Sequence, residues 1–222
     1  MSGDGLVRCP WAEVRPGPDA QLYRDYHDNE WGRPLYGRVA LFERMSLEAF
    51  QSGLSWLIIL RKRENFRRAF SGFDIDKIAR YTDTDVRRLL ADDGIVRNRA
   101  KIEATIANAR AAADLGSSED LSELLWSFAP PPRPRPVDGS EIPSVSTESK
   151  AMSRELKRRG FRFVGPTTAY ALMQATGMVD DHIQACWVPT ERPFDQPGCP
   201  ILEGALNGGD EAPDRRRSFG SN

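Results

Sequence analysis

The chain of 222 residues carries 31 basic and 32 acidic side chains for a net charge of −1, so no global field draws it to nucleic acid and any polyanion-binding face has to be local. Its length allows a sizeable core in one domain, or two intimate lobes, without disulfides, and the odd, sparse set Cys9, Cys186 and Cys199 argues against a disulfide framework. No apolar run approaches the roughly 18 residues of a membrane span, and the N-terminus lacks the basic and apolar regions of a secretory signal, which predicts a cytoplasmic chain with no membrane partner.

Apolar residues recur at helical spacing almost throughout and no alternating strand stands out, so the expected fold is all-α. Leu41, Phe42, Met45 and Ala49 mark one helix closed by Gly53, and Ser55 is placed to cap a second that carries Ile59, Phe66 and Phe70 before Ser71 and Gly72. Asp74 opens a short helix. Thr82 with Asp85 makes a capping-box start to the next, which Gly94 stops. A longer helix follows from about Arg97, striped by Ile102, Ile106, Ala109 and Ala113 and ended at Gly116, and Ser118 starts the segment of Leu121, Leu124, Leu125 and Phe128. The run Pro130 to Pro136 cannot continue a helix and reads as a stiff connector. Beyond it, 146–159 and 166–176 read as two helices joined by a Gly-punctuated turn, and from about Pro197 the core pattern gives way to a polar tail expected to be disordered. The expected division is therefore 1–199 as one domain and 200–222 as tail.

Three constellations bear chemistry. The only histidines, His27 and His182, both have company: His182 and Cys186 are one helical turn apart, so a helix there would put both on one face, and Cys9 with His27 completes a possible Cys2His2 set. Spacing alone leaves this set open between a metal site and ordinary buried side chains, because the interval from Cys9 to His27 matches no generic finger. The segment Leu22 to Gly32 is dense in aromatic and polar groups that suit a site wall better than a core. Glu48 lies among apolar neighbours ahead of the Gly53-Leu54-Ser55-Trp56 turn, and a buried carboxylate is either paired structurally or kept for a ligand. Finally, the turn ending in Gly165 and Pro166 leaves backbone N–H groups free at a helix start, which suits a phosphate or is simply an αα-hairpin. Two basic clusters, Arg61, Lys62, Arg63, Arg67, Arg68 and Lys150, Arg154, Lys157, Arg158, Arg159, Arg162, either bind a polyanion or form solvated faces.

From about Arg8 to about Val188 the chain resembles the DNA-3-methyladenine glycosylase I family of the helix-hairpin-helix DNA glycosylase superfamily. The resemblance rests on Arg8-Cys9-Pro10-Trp11, Tyr26-His27-Asp28-Asn29-Glu30-Trp31-Gly32, Leu54-Ser55-Trp56, Lys62-Arg63-Glu64-Asn65, Gly94-Ile95-Val96-Arg97 and Arg159-Gly160-Phe161-Arg162-Phe163-Val164-Gly165. It implies an all-α, two-lobed fold with the helix-hairpin-helix at about 146–176. It implies a structural Zn2+ on Cys9, His27, His182 and Cys186 that ties the termini. The activity implied is base-excision repair: a monofunctional glycosylase, without lyase activity or nucleotide cofactor, that flips 3-methyladenine out of alkylated double-stranded DNA and hydrolyses its glycosidic bond, working as a monomer.

The same resemblance assigns site residues. Glu48 matches a residue that hydrogen-bonds the excised base and is expected to be the catalytic carboxylate. Tyr26 matches a residue that hydrogen-bonds the base, Trp56 one that stacks on it, Tyr23, Trp11 and Trp31 aromatic neighbours of the base site, and Leu54 one that plugs the gap in the DNA. From the free N–H groups of the hairpin turn, Arg162, Val164, Gly165, Thr167 and Thr168 are expected to hold the DNA backbone. Alkylation at N3 makes adenine a cation, so π faces and an anionic Glu48 favour it over neutral adenine. The superfamily usually carries a catalytic Asp shortly after the hairpin. Here that stretch reads Val179-Asp180-Asp181-His182, and Asp180 is expected to cap a helix bearing His182 and Cys186 rather than to act in chemistry. A non-catalytic DNA-binding protein would not need Tyr26, Glu48 and Trp56 together, and a zinc hydrolase would need an open ligand position that four protein ligands fill.

Overall fold

The computed structural model describes residues 4–13, 17–115 and 120–191, and among these there are helices and no strands. The helices are α1 (Pro10–Glu13), α2 (Asp19–Asn29), α3 (Arg38–Gln51), α4 (Trp56–Ala69), α5 (Ile75–Ala79), α6 (Asp83–Ala91), α7 (Arg99–Ala113), α8 (Leu121–Trp126), α9 (Thr147–Arg158) and α10 (Pro166–Ala175). The all-α expectation is therefore met across the described residues. The helix end at Gly116, the start at Ser118, Cys199 and the tail from Pro197 lie outside them. None of the described helices is long and apolar enough to cross a membrane.

Helix starts follow the capping chemistry of the sequence. Asp74 accepts from Lys77 N at 3.0 Å to open α5, and Thr82 and Asp85 form the reciprocal box at α6. Asn98 caps α7, two residues after the expected start, and Ser146 with Ser149 opens α9. Ser55 occupies the cap position of α4, but its side chain makes no capping hydrogen bond.

The core is aromatic and aliphatic. Phe50, Phe66, Phe70 and Phe73 form a chain of tilted and stacked rings with centroids 4.6–6.3 Å apart, joined by Leu41, Phe42, Met45, Ile59, Ile78, Leu89 and Ile102, all buried. α5 lies along α7, α9 packs on α10, and α10 on α3, so the long central helix α3 touches most of the layer around it. A second, smaller cluster gathers Cys9, Tyr26, Trp31, Leu60, Ala175, Cys186 and Val188 where the two ends of the described chain meet.

Two expectations need correction. Residues 180–188 form no helix: a turn with Cys186 N donating to Ile183 O (2.9 Å) folds the segment back, so His182 and Cys186 converge by a tight loop instead of a helical face. Asp180 consequently caps nothing helical. Its Oδ1 accepts from His182 N at 3.3 Å in a local turn, and its Oδ2 pairs with Arg135. The proline run is also more than a connector, because Arg133 and Arg135 within it clamp Asp181 and Asp180, and Arg135 donates to Val188 O at 2.7 Å.

Candidate functional site

At the meeting of the chain ends, Cys9 precedes α1, His27 sits in the last turn of α2, and His182 and Cys186 come from the returning loop. Their ligand atoms all lie within 4.8 Å of one another and all four residues are buried. Cys9 Sγ is 3.5 Å from His182 Nδ1, and Cys186 Sγ is 3.4 Å from His182 Nδ1 and 3.5 Å from His27 Nε2. Such a set of two sulfurs and two ring nitrogens can hold a metal ion. The outward ring nitrogens are fixed as a metal site requires: His27 Nδ1 meets Asp28 Oδ1 at 2.7 Å, and His182 Nε2 meets Trp31 O at 3.0 Å. The Cys9 thiol first, and then the imidazoles of His182 and His27, hold Cys186 toward the thiolate against its burial. Burial opposes the charge of Asp28, but Arg8, which grips it through Nε (2.9 Å) and Nη2 (2.8 Å), keeps the carboxyl below its usual range. Gly32 has φ +77, and a Cβ there would fall 2.8 Å from His182 Nε2, so this position has to remain bare for the ring to approach.

The rings of His27 and His182 continue directly into an aromatic wall. Trp31 lies edge-on to His182 (4.7 Å) and Trp11 edge-on to both His27 (5.3 Å) and Trp31 (5.1 Å). From Trp11 the contacts run to Tyr23 (5.9 Å) and Tyr26 (6.1 Å), and from Tyr26 to Trp56 (5.3 Å). These five aromatics line one cavity of about 950 Å³ together with Glu48, Gln51, Ser55, Gln174, Asp181 and Ile183. The structure thus brings together Tyr23, Tyr26, Trp11, Trp31, Trp56 and Glu48, which the family resemblance grouped from three separate segments.

Glu48 projects from α3, is 5 % exposed and makes no hydrogen bond to a described residue. Burial pushes its carboxyl up to about 7, and Arg44, one turn earlier on the same helix, works against that rise. Arg44 is itself buried, and burial also drives the Tyr26 hydroxyl well above its ordinary range, with Arg44 again opposing. Burial resists the charge of Glu30, yet Arg63 and Arg44 hold that carboxyl below the usual range. Neither Arg44 nor Asp181 was marked by spacing. The signal for Arg44 was present, since a cation at i−4 from a carboxylate in an otherwise apolar stripe is a buried pair in waiting. Asp181 gave no such sign. It is fully buried, accepting from Tyr170 Oη (2.7 Å), Gln174 Nε2 (2.9 Å) and Arg133 Nη2 (2.6 Å), whereas Asp180 faces a separate cavity of about 230 Å³.

Around the proposed DNA contacts, Leu54 is 36 % exposed at the tip of the α3–α4 turn. Val164 is 2 % exposed, so its side chain belongs to the core and only its backbone can serve a ligand. Pro166 occupies the first position of α10, Gly165 precedes it, and no side chain caps the turn that holds Thr167 and Thr168. Asn108 braces the hairpin by accepting from Arg162 N (2.7 Å) and donating to Arg162 O (3.0 Å). The basic clusters part ways. Arg61 pairs with Asp19, Arg63 with Glu30 and Arg67 with Glu43 and Glu64, while Lys62 donates to Asp93 O and Arg68 to Asn65 Oδ1, so three of the five cations of the first cluster are matched by acids. In the second, Lys150, Arg154, Lys157 and Arg162 are exposed and form no ion pair with a described residue, while Arg158 and Arg159 engage Glu155.

Comparison with known proteins gives consistent neighbours. The family model described as methyladenine glycosylase matches residues 17–189. A DNA-3-methyladenine glycosylase of Haemophilus influenzae is 44 % identical over 186 residues, covering 81 % of this chain and 96 % of that protein. The DNA-3-methyladenine glycosylase 1 of Escherichia coli is 45 % identical over 184 residues, with 82 % and 96 % covered. A crystal structure of a tyrosine-to-phenylalanine variant of 3-methyladenine DNA glycosylase I in complex with 3-methyladenine superimposes with a TM-score of 0.76 at 34 % identity, covering 82 % of this chain and 98 % of that one.

Proposed function

The chain belongs to the methyladenine glycosylase family, and from that premise we propose that it flips 3-methyladenine out of alkylated double-stranded DNA and hydrolyses its glycosidic bond. The carrying observation is the aromatic cavity with one unpaired buried carboxylate, Glu48, among its walls. A cationic purine stacked against Trp56 and Tyr26 gains from the ring faces, and an ionised Glu48 in a low-dielectric wall attracts it strongly while accepting from its exocyclic amine. Neutral adenine receives no such attraction. The positive charge already weakens the C1′–N9 bond, whose electron pair leaves with the purine and cancels that charge, so extrusion and recognition supply much of the catalysis.

The helix-hairpin-helix of α9 and α10 is the DNA anchor in this reading. Unpaired Lys150, Arg154, Lys157 and Arg162, with the uncapped start of α10, offer phosphate contacts, and Leu54 fills the space the base vacates. The Cys2His2 set is assigned to structural zinc. Tetrahedral Zn–S and Zn–N bonds generate an S···N edge of about 3.5 Å, close to the separations found. Four protein ligands leave no open position, so Cys9, His27, His182 and Cys186 hold the ion to tie the aromatic wall and take no part in bond cleavage. The described cavity lining contains no lysine, which favours a monofunctional enzyme without a Schiff-base step.

The test is incubation with methylated duplex DNA and chromatography of the free bases. Release of 3-methyladenine, leaving strands that break only after alkali or heat, supports the proposal; no released base, or a borohydride-trapped adduct, overturns its respective part. Glu48→Gln should slow single-turnover excision more than Asp180→Asn. The reverse order would make Asp180 the essential carboxylate.

A further inference from the structure

Arg44 stands behind the cavity wall, 8 % exposed, with its Nη1 donating to Tyr26 Oη at 2.8 Å and its Nη2 to Glu30 Oε2 at 3.1 Å. Its Cζ lies 5.2 Å from the ring centroid of Tyr26 and 5.8 Å from that of Trp56. Neutralising Glu30 does not explain a buried guanidinium here, because Arg63 already donates to both oxygens of that carboxylate at 2.6 and 2.9 Å. Beyond its charge one turn from Glu48, what Arg44 adds is its bond to the tyrosine.

That bond has a direction. A guanidinium has five donors and no acceptor, so Tyr26 Oη must accept, and the hydroxyl's own proton is left for another partner. No described residue takes it, and Tyr26 lines the cavity. We propose that Arg44 is a positioning residue that commits Tyr26 to donate its hydroxyl proton into the cavity, to an acceptor nitrogen of the bound purine. The inference rests on the glycosylase function proposed above.

The polarity suits the reaction. As the C1′–N9 bond breaks, its electron pair moves onto the purine, the ring loses its positive charge and its acceptor nitrogens gain electron density. A donor aimed at one of them is therefore held more tightly toward the transition state than in the ground state. A hydroxyl that itself accepts from a cation is a stronger donor than a free one, so Arg44 sharpens the effect without touching the base. The cavity then presents complementary groups to a 6-aminopurine edge: Tyr26 donates to a ring nitrogen, and Glu48 accepts from the amine. Without Arg44 the Tyr26 hydroxyl is free to accept instead, and the distinction between these two roles is lost.

The experiment is a double-mutant cycle on the full chain, reading single-turnover release of 3-methyladenine from methylated duplex. Arg44→Met should slow release about tenfold, the usual scale for a charge-assisted hydrogen bond, and Tyr26→Phe at least as much. The double variant should be no slower than Tyr26→Phe alone, and Arg44→Lys should recover part of the loss. If Arg44→Met melts below the assay temperature, Arg44→Lys runs the same cycle, its deficit again expected only where Tyr26 is present. An Arg44 substitution that slows both backgrounds by the same factor, or neither, overturns the inference. A wild-type chain that releases no 3-methyladenine overturns instead the function on which it rests.

Discussion

The apolar core around Phe50, Phe66, Phe70 and Phe73 is assembled from side chains near one another in sequence, whereas the tetrad of Cys9, His27, His182 and Cys186 joins distant residues, with Cys9 and His182 alone 173 positions apart. The core is redundant, since each ring touches several others and the loss of one leaves the rest in place. The tetrad has no spare member. Its partners Asp28, Arg8 and the Trp31 carbonyl are charged or polar and buried or nearly so, and they are satisfied only when the rings stand as they do. The cavity hangs from the tetrad through Trp11 and Trp31, so the functional wall depends on the less redundant of the two regions. Stability should fail gradually when the core is damaged and abruptly when the tetrad is.

The largest effect expected is at the tetrad. Cys186→Ala, or a strong chelator acting on the intact chain, should cost more than about 5 kcal/mol of unfolding free energy together with loss of the metal. Metal analysis paired with thermal melting checks this. A Cys186→Ala protein with full metal content and an unchanged melting temperature would erase the contrast. Phe66→Ala, the matched lesion in the core, should cost about 3–5 kcal/mol with metal content unchanged. If Phe66→Ala also releases the metal, the two regions form one cooperative unit rather than two.

Glu48 sharpens the comparison from the cavity side, because this carboxylate is kept at the expense of stability. Its folded-state value is raised from 4.5 to about 7 by burial, with Arg44 in opposition. A raised carboxyl favours the folded state at low pH, and that contribution is lost as pH rises from 4.5 through about 7. Above that range the wild type carries a buried charge that Glu48→Gln lacks. The variant should therefore unfold later by about 3 kcal/mol near pH 8, the gain shrinking as pH falls toward 4.5, while excision drops. Melting curves across this range decide it, and a Glu48→Gln protein that is less stable at high pH would mean the carboxylate is structurally paired. For the free enzyme, kcat/KM should rise with pH through about 7 if the ionised form is the one that receives the cationic base.

The core was readable because it is periodic. The stripe of Leu41, Phe42, Met45 and Ala49 and the boxes at Thr82 and Ser146 follow local rules, and the structure departs from them by a residue or two at Asn98. The site was legible only as separate fragments. Glu48, Tyr26 and Trp56 stood out as groups a core would avoid, but nothing local says that α2, α3 and α4 bring them to one cavity; the resemblance to a family supplied that. His182 and Cys186 show the limit most plainly. Their spacing suits a helical face, yet the chain between them turns back, because Asp180 and Asp181 are tied by Arg135 and Arg133 to the proline run, and those are long-range bonds that no window of sequence contains. Asn108 was missed for the same reason, since its partner Arg162 lies on another element, whereas Arg44 left a local sign four residues before Glu48.

The smallest expected effect lies on α7, which braces the two elements proposed to contact DNA. Lys101 Nζ donates to Phe50 O (2.8 Å) and Ser52 O (2.6 Å), the carbonyls that lead into the turn carrying Leu54, and burial holds the lysine below its ordinary range. Asn108, two turns along α7, grips both backbone groups of Arg162. A rigid helix thus fixes the Leu54 turn at one end and the hairpin at the other, separated by a rise of about 10 Å. Neither side chain lines the aromatic cavity. If they act through the backbone they hold, Lys101→Met and Asn108→Ala should each slow excision from methylated duplex by about tenfold, on the scale of one lost buried hydrogen-bonding group, while affinity for free 3-methyladenine stays at the wild-type value. Binding of the free base weakened in step with excision would place their effect in the cavity or in the fold at large. Excision unchanged in both variants would show that the Leu54 turn and the hairpin keep their positions without these two side chains.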